Sequence, residues 1–371
     1  AGVVMQMPMG VVEFAKYESP FVHYDASTDL GARVLLISQP GTQATLYGLY
    51  DIMQTLEIVP LNGPRERGGD SFTIEGRNGS IVSYTQAALE NGQIKRLRER
   101  GTDKMFFSPR ASSMGHHFGG EMISLYWTQH CNDLIARVIS LYPDIFVPVC
   151  QLPQSPGVPP KAAIAELERC VNEMGFVGCV MNPDPSGGFW TDPPLSDKDW
   201  WYPFYEKLVE LDVPAMIHVS ATCNPSFHST SSHYMNADTT SIVQLHQSTV
   251  FQDFPDLRII VPHGGGAIPY QYGRFRGIAI RDGFQPFDEF IKKIYFDTAI
   301  YDQNGLELLL KVAGIDNVLF ASEMIGAVNA IDPETGRYFD DIKPTIDNID
   351  WLTDEDRTKL FEGNAIKVYP R

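Results

Sequence analysis

The sequence predicts an α/β fold in which parallel strands alternate with helices and close into a (β/α)8 barrel. Seven short apolar runs after Gly101 are each followed by a segment with helical periodicity. A polar residue stands at or just beyond the end of most of these runs. The chain has 371 residues, the length of one such barrel with insertions, so we expect a single domain over residues 1–371, although this length also allows two domains.

The first 80 or so residues form an atypical N-terminal region. Three segments there, 9–15, 19–25 and 32–38, look like strands, and any of them could be the first strand of the barrel. Residues 60–79 are rich in glycine, proline and charge, which is typical of an exposed inserted loop. Residues 80–100 have helical periodicity, and Gly101 is a plausible C-cap.

From Lys104 onward strands and helices alternate regularly. The predicted strands are residues 104–107, 145–150, 176–181, 214–217, 259–261, 294–297 and 318–321. The predicted helices are residues 121–142, 160–173, 200–211, 239–251, a segment from 267 onward, 305–313, 344–349 and 353–361.

Composition excludes several classes of protein. The formal net charge of -17 argues against nucleic acid as a partner, and an acidic substrate would need a locally basic pocket. No apolar stretch is long enough to span a membrane, and the N-terminus lacks the basic start of a signal peptide. The five cysteines form no close pair, so we expect reduced core thiols in a cytoplasmic protein.

Six polar residues lie where predicted strands end, and a barrel brings such ends to one mouth. They are Arg110, Asn182, His218, His263, Asp297 and Glu323. The two imidazoles can bind a metal or carry a proton, and Glu323 can act as a metal ligand or as an acid and base. Asn182 and Asn224 are further candidates for substrate contacts.

The segment from Arg258 to Gly277, RIIVPHGGGAIPYQYGRFRG, is the clearest unit of this kind. A buried strand ends at Pro262, His263 follows, and three glycines form a tight turn before a helix. That helix carries Arg274 and Arg276, whose planar guanidinium groups suit carboxylates. Residues two apart point to different faces of a helix, so we expect only one of the two to reach a ligand.

Several stretches resemble the 4-oxalomesaconate hydratase family, in the amidohydrolase-2 branch of the amidohydrolase superfamily. They are FSPRAS (107–112), LPQSPG (152–157), VMNPDPSGG (180–188), PAMIHVS (214–220), VPHGGGAIPY (261–270), FASEMIGAV (320–328) and IDPETG (331–336). The resemblance covers about residues 85–371. It implies a distorted TIM barrel with one zinc ion, in which His218 and Glu323 match metal ligands and His263 matches a catalytic residue. It also implies that Arg110 and the pair Arg274 and Arg276 contact substrate carboxylates.

The sequence departs from that family at the first strand. The hydratases carry an Asp-x-His-x-His motif there, which supplies two metal ligands, and no His-x-His occurs in this chain. Glu13, His23 and Asp25 are the candidate replacements, and His263 is another source of a third ligand. The cofactor is therefore expected to be a divalent metal, zinc or alternatively manganese, with a metal-free site as the remaining alternative.

The resemblance implies a lyase that hydrates a small polycarboxylate formed during the degradation of aromatic compounds. One alternative is a nonoxidative decarboxylase acting on a phenolic acid. Another is a metal-free relative that serves as a binding or accessory subunit. We expect a homo-oligomer, a dimer or larger.

Overall fold

The computed structural model describes residues 71–75, 81–85, 90–118, 120–324 and 328–370. The strands are β1 (Ser71–Glu75), β2 (Ile81–Thr85), β3 (Met105–Phe107), β4 (Phe146–Pro148), β5 (Cys150–Gln151), β6 (Cys179–Met181), β7 (Ala215–Ile217), β8 (Ile259–Val261), β9 (Tyr295–Asp297) and β10 (Val318–Leu319). The α-helices are α1 (Lys95–Glu99), α2 (Glu121–Leu141), α3 (Ile164–Glu168), α4 (Lys198–Glu210), α5 (Tyr234–His246), α6 (Val250–Asp253), α7 (Tyr272–Asp282), α8 (Phe287–Phe290), α9 (Gln303–Ala313), α10 (Lys343–Asp347), α11 (Asp354–Thr358) and α12 (Asn364–Val368).

The chain divides into two compact units, residues 1–155 and 156–371. In the first unit β1 and β2 pair antiparallel, with Ser71 opposite Thr85. The strands β3 and β4 pair parallel, and α2 connects them, as a parallel pair requires a crossover. The expectation of one domain over the whole chain stays a prediction.

Buried polar contacts hold the segment after β4 in the first unit. The Asn132 amide on α2 bonds both the N–H and the carbonyl of Gln151, at 2.9 and 3.0 Å. The Gln151 amide in turn donates to the carbonyl of Pro109, at 2.8 Å. His116 Nε2 donates to the carbonyl of Leu152, at 3.2 Å. These bonds satisfy backbone groups that would otherwise be buried without partners.

In the second unit β6 to β10 form a parallel sheet whose strand order follows the sequence. Helices separate consecutive strands: α4 lies between β6 and β7, α5 and α6 between β7 and β8, α7 and α8 between β8 and β9, and α9 between β9 and β10. Every residue of β6 and β8 is buried, the pattern of parallel strands covered on both faces. This arrangement places all five carboxyl ends at one edge of the sheet.

The turn after β8 packs against α5. His263 and the next three glycines all have positive φ, from 52° to 78°. A Cβ atom added at Gly266 would lie 2.5 Å from the Met235 carbonyl oxygen and 2.6 Å from Thr239 Oγ1. The absence of a side chain therefore lets this turn approach the helix closely.

The predicted alternation after Gly101 is confirmed, although most strands are shorter than predicted and the run at 145–150 forms two strands, β4 and β5. The loop predicted over 60–79 is wrong at residues 71–75, which form β1. The predicted helix over 80–100 is wrong at its start, because residues 81–85 form β2, in keeping with their β-branched and aromatic composition. The helix predicted from 267 begins at Tyr272, since the glycine turn continues further. The three candidate first strands lie outside the described residues.

Four of the five cysteines are buried free thiols, as predicted, whereas Cys223 is exposed on the loop after β7. In the described part of the chain, every helix is too short or too polar to span a bilayer.

The first prediction concerns acid stability. Burial and the nearby His117 lower the pKa of the His116 imidazole to about 4, although the hydrogen bond to the Leu152 carbonyl raises it. The unfolded chain takes up a proton near pH 6.5 and the folded chain only near pH 4, so stability is lost as the pH falls through that window. We expect about 2 kcal/mol of the unfolding free energy to be lost between pH 7 and pH 5 through this histidine. In His116→Gln that part of the pH dependence should vanish in urea titrations, and an unchanged slope would contradict the assignment.

The second prediction concerns Gly266. The Cβ of Gly266→Ala would clash with α5, and the residue would also be held at a positive φ that alanine disfavours. The substitution should therefore lower the unfolding free energy by more than about 2 kcal/mol. Gly277→Ala is the matched control, because Gly277 lies within α7 with no neighbouring atom within 4 Å of an added Cβ. The control should be neutral or stabilising by up to about 1 kcal/mol. Denaturant unfolding of both variants measures the difference, and equal effects would show that the close packing at Gly266 is unimportant.

Candidate active site

The carboxyl ends of β6 to β10 carry five of the polar residues predicted to form the site. Asn182 directly follows β6, and His218 directly follows β7. His263 comes after β8 and Pro262, Asp297 is the last residue of β9, and Glu323 lies four residues beyond β10. Parallel pairing therefore brings these five side chains to one edge of the sheet.

A cavity of about 410 Å³ opens at this edge. Its polar lining residues are Thr230, Ser231, Tyr234, His263, Tyr270, Tyr301 and Glu323. Apolar side chains, among them Pro269, Ile300, Leu308 and Val328, form much of the remaining wall. A small number of polar groups in a largely apolar cavity is typical of a site for a small molecule.

His263 is held by a buried carboxylate. Its Nδ1 lies 2.9 Å from Asp238 Oδ2 on α5, and only 8% of His263 and 1% of Asp238 are exposed. A carboxylate oxygen accepts, so Nδ1 carries the proton of this bond. Burial lowers the pKa of the His263 imidazole, but the carboxylates of Asp238, Asp297 and Glu323 outweigh it and raise the pKa above its ordinary value.

Glu323 accepts a hydrogen bond from the Tyr301 hydroxyl at Oε2. Burial and the nearby Glu323 raise the pKa of Tyr301, so its hydroxyl stays protonated and remains a donor. Glu323 and His263 share an uncommon backbone, with φ of 51° and 52°. Left-handed backbone in residues other than glycine is costly and concentrates at functional sites.

His218 presents the geometry of a metal-binding imidazole. Its Nδ1 donates to the backbone carbonyl of Val219 at 2.7 Å, which leaves the lone pair on Nε2. Metal-ligating histidines commonly make such a bond through the other ring nitrogen. The His218 ring centroid lies 5.2 Å from that of His263 and 5.0 Å from that of Tyr234.

The ligand atoms at this site suit a divalent ion, but the described residues supply only part of a ligand set. His218 and Glu323 supply an imidazole and a carboxylate, which zinc and manganese both accept. Among the described residues, no group of three His, Cys, Asp or Glu side chains is placed to hold a metal together. The candidate third ligands Glu13, His23 and Asp25 lie outside those residues.

Asp297 is buried and engaged with the backbone. Its Oδ1 accepts from the N–H groups of Gly264 and Ala299, at 3.3 and 3.0 Å. Burial raises the pKa of its carboxyl group, against the opposing effects of His263 and of these two bonds. Asp297 therefore supports the turn that carries His263.

Asn182 and Asn224 hold two loops together. The loop after β6 folds around Asp184, whose Oδ2 accepts from the Gly188 N–H at 2.7 Å and whose own N–H donates to Asn182 Oδ1 at 2.9 Å. Asn224 Nδ2 donates to the Gly188 carbonyl at 2.9 Å, and Asn182 Nδ2 to Ser220 Oγ at 3.4 Å. The amides thus link this loop to the one after β7, and their predicted role in substrate binding stays a prediction.

The three candidate arginines lie in different settings. Arg110 belongs to the first unit, where it follows β3 and precedes a short 3-10 turn. Arg274 is exposed on α7. Arg276, also exposed there, donates from Nε to Asp288 Oδ2 at 2.9 Å. Their contacts with substrate carboxylates stay predictions.

Three residues of the site were missed from the sequence, namely Tyr234, Asp238 and Tyr301. Asp238 left a detectable signal, because it lies on the buried face of α5 at helical spacing from Tyr234, Ser241, Ile242 and Leu245. A charged residue on such a face indicates a buried partner. The two tyrosines left no comparable signal, since aromatic residues at these positions also suit a core.

Comparisons with known proteins place this site in context. Residues 73–371 match the Amidohydro_2 family, described as amidohydrolase. The chain is 53% identical over 284 residues to 2-keto-4-carboxy-3-hexenedioate hydratase from Sphingobium sp., which covers 76% of this chain and 83% of the relative. It also matches the crystal structure of 4-oxalomesaconate hydratase from Rhodopseudomonas palustris, with a TM-score of 0.70, 50% identity and coverage of 77% and 82%.

A more distant match is dihydroxybenzoic acid decarboxylase from Polaromonas sp., solved with bound manganese and the inhibitor 2-nitroresorcinol. The TM-score is 0.62 at 22% identity, over 75% of this chain and 85% of the relative, so this likeness concerns the fold. The predicted α/β fold of the TIM-barrel class and the predicted family are confirmed. The parallel sheet, the strand-end residues and the family match over most of the chain agree: the chain belongs to the amidohydrolase-2 family of the amidohydrolase superfamily.

Proposed function

We propose that this protein is a hydratase, a lyase that adds water to a carbon–carbon double bond of a small unsaturated keto-acid with several carboxylates, formed in the degradation of aromatic compounds. The observation that carries the proposal is the pair His263 and Glu323, which line one cavity in a chain that is 53% identical to a hydratase. The two side chains supply the acid and the base that such a reaction needs.

Hydration breaks one O–H bond of water and forms one C–O and one C–H bond. Glu323 takes the proton from water as the oxygen attacks one alkene carbon, while Tyr301 keeps the carboxylate oriented. His263 gives a proton to the other carbon, because the surrounding carboxylates favour its protonated form. A carbonyl group conjugated to the double bond accepts the electrons displaced during the attack.

A divalent metal, zinc or manganese, is part of this proposal. His218 and Glu323 would hold it, with a third ligand from Glu13, His23 or Asp25. When bound, the ion supplies Lewis acidity that polarises a substrate oxygen. A site that stays metal-free is the alternative, and then His263 and Glu323 act alone as the catalytic pair.

The substrate's carboxylates need cationic or hydrogen-bonding partners in a chain of net charge -17. Among the described residues that line the cavity, none is lysine or arginine. Hydroxyl groups are present on Thr230, Ser231, Tyr234, Tyr270 and Tyr301, and that of Tyr301 already donates to Glu323. We therefore propose that an arginine contacts these carboxylates, with Arg274 on α7 as the stronger candidate of the second unit, while the predicted role of Arg110 stays a prediction. Arg276 is the weaker candidate, because it already pairs with Asp288.

The third prediction tests the reaction type. The purified protein should remove the diene absorbance of unsaturated keto-acids without releasing CO2. His263→Asn and Glu323→Gln should each lower kcat at least about 100-fold, since each removes an acid or a base. Glu362→Gln, at an exposed position, is the matched control and should keep full activity.

Other outcomes of that assay point elsewhere. CO2 release from hydroxybenzoates, with no turnover of the keto-acids, would replace the hydratase by a nonoxidative decarboxylase. Binding of these acids without any turnover would indicate an accessory subunit.

The fourth prediction concerns the metal. Protein purified without chelator should contain close to one zinc or manganese per chain by elemental analysis. The content should fall sharply in His218→Ala, because the ion loses an imidazole ligand. His130→Ala, on α2 of the first unit, is the control and should keep its metal. A metal-free wild-type protein that is fully active would rule out the metal-dependent mechanism.

A further inference from the structure

Asp238 is a carboxylate on the buried face of a helix. On α5 it lies beside Tyr234, Ala237, Ser241 and Ile242, all of which are buried. An isolated charge in such surroundings is strongly unfavourable, so its position requires a bonded partner. That partner is His263 Nδ1, at 2.9 Å.

The turn that carries His263 is attached to α5 at two neighbouring points. Asp238 bonds the imidazole, and Thr239 Oγ1 accepts from the backbone N–H of Ala267 at 2.9 Å. Gly266 lies against the same turn of the helix, where an added Cβ would contact Met235 and Thr239. The left-handed backbone of His263 is thus held in place by its surroundings, which is the condition under which such strain persists.

The other two carboxylates near the imidazole are engaged elsewhere. Asp297 Oδ1 accepts from the backbone N–H groups of Gly264 and Ala299. Glu323 Oε2 accepts from the Tyr301 hydroxyl. Asp238 is therefore the carboxylate that sets the orientation of the ring.

We propose that Asp238 is the positioning residue of the active site: by accepting a hydrogen bond from Nδ1–H it fixes the orientation of His263 and presents Nε2 to the cavity. His263 lines the cavity, and with Nδ1 directed at α5 the nitrogen on the opposite side of the ring is Nε2. Proton transfer requires the donor nitrogen to be held within hydrogen-bonding reach of the reacting atom. This inference rests on the proposed hydratase activity, in which His263 delivers a proton.

The test compares three variants of the protein, each purified without chelator. Asp238→Ala removes the acceptor, and Asp238→Asn keeps the shape but places an amide that can also donate. Thr239→Ala loosens the same turn without touching the imidazole. We expect both Asp238 variants to lose at least about 100-fold in kcat with KM changed less than about 3-fold, whereas Thr239→Ala stays within about 5-fold of wild type.

A second measurement does not depend on activity. The bonded Nδ1 proton of His263 should give a low-field proton resonance in protein with isotope-labelled histidine, identified by its absence in His263→Gln. The resonance should disappear in Asp238→Ala and persist in Thr239→Ala. Metal content and thermal unfolding, measured on each variant, identify any loss that arises from the metal or from misfolding.

Two results would overturn the inference. One is a folded Asp238→Ala protein that keeps the resonance or keeps kcat within about 3-fold of wild type. The other is a Thr239→Ala protein that loses as much kcat as the Asp238 variants, since the turn alone would then be responsible. If the wild-type protein hydrates no unsaturated acid, the proposed function fails, while the resonance still tests the contact.

Discussion

Parallel pairing of β6 to β10 is the constraint on which the candidate site depends. Because every strand in this sheet runs in the same direction, residues far apart in sequence, from Asn182 to Glu323, come to one edge. The interior of the unit is closely packed and apolar, with β6 and β8 fully buried. Loops at the edge can therefore carry reactive groups while the strands keep them in register.

A second level of organisation lies in the contacts made by the loops. Each polar side chain at the edge is oriented by a specific partner: His263 by Asp238, Glu323 by Tyr301, and His218 by the Val219 carbonyl. Asp297 and Asp184 use their carboxylates on backbone N–H groups of the turns beside them. Side chains oriented in this way lose little conformational entropy when a substrate binds, which lowers the barrier to reaction.

The sequence was sufficient for the fold class and for most strand ends, because apolar runs followed by helical periodicity are a strong local signal. It identified His218, His263 and Glu323 for the same reason, since each follows such a run. It could not identify Tyr301 as the partner of Glu323, or Asp238 as the partner of His263, because those pairings arise from tertiary packing between separate elements. It also extended a helix into β2, where strand pairing with β1 outweighs local helical periodicity.

The left-handed backbones of His263 and Glu323 have a consequence for how this chain can change over evolutionary time. Each residue stores roughly 1–2 kcal/mol of conformational strain that glycine would release. Glycine at position 263 would release that strain but would leave the buried Asp238 carboxylate without its partner, and glycine at position 323 would remove the acceptor of the Tyr301 hydroxyl. Each left-handed position is therefore tied to its partner, and a descendant sequence that loses one member of a pair is expected to lose the other as well.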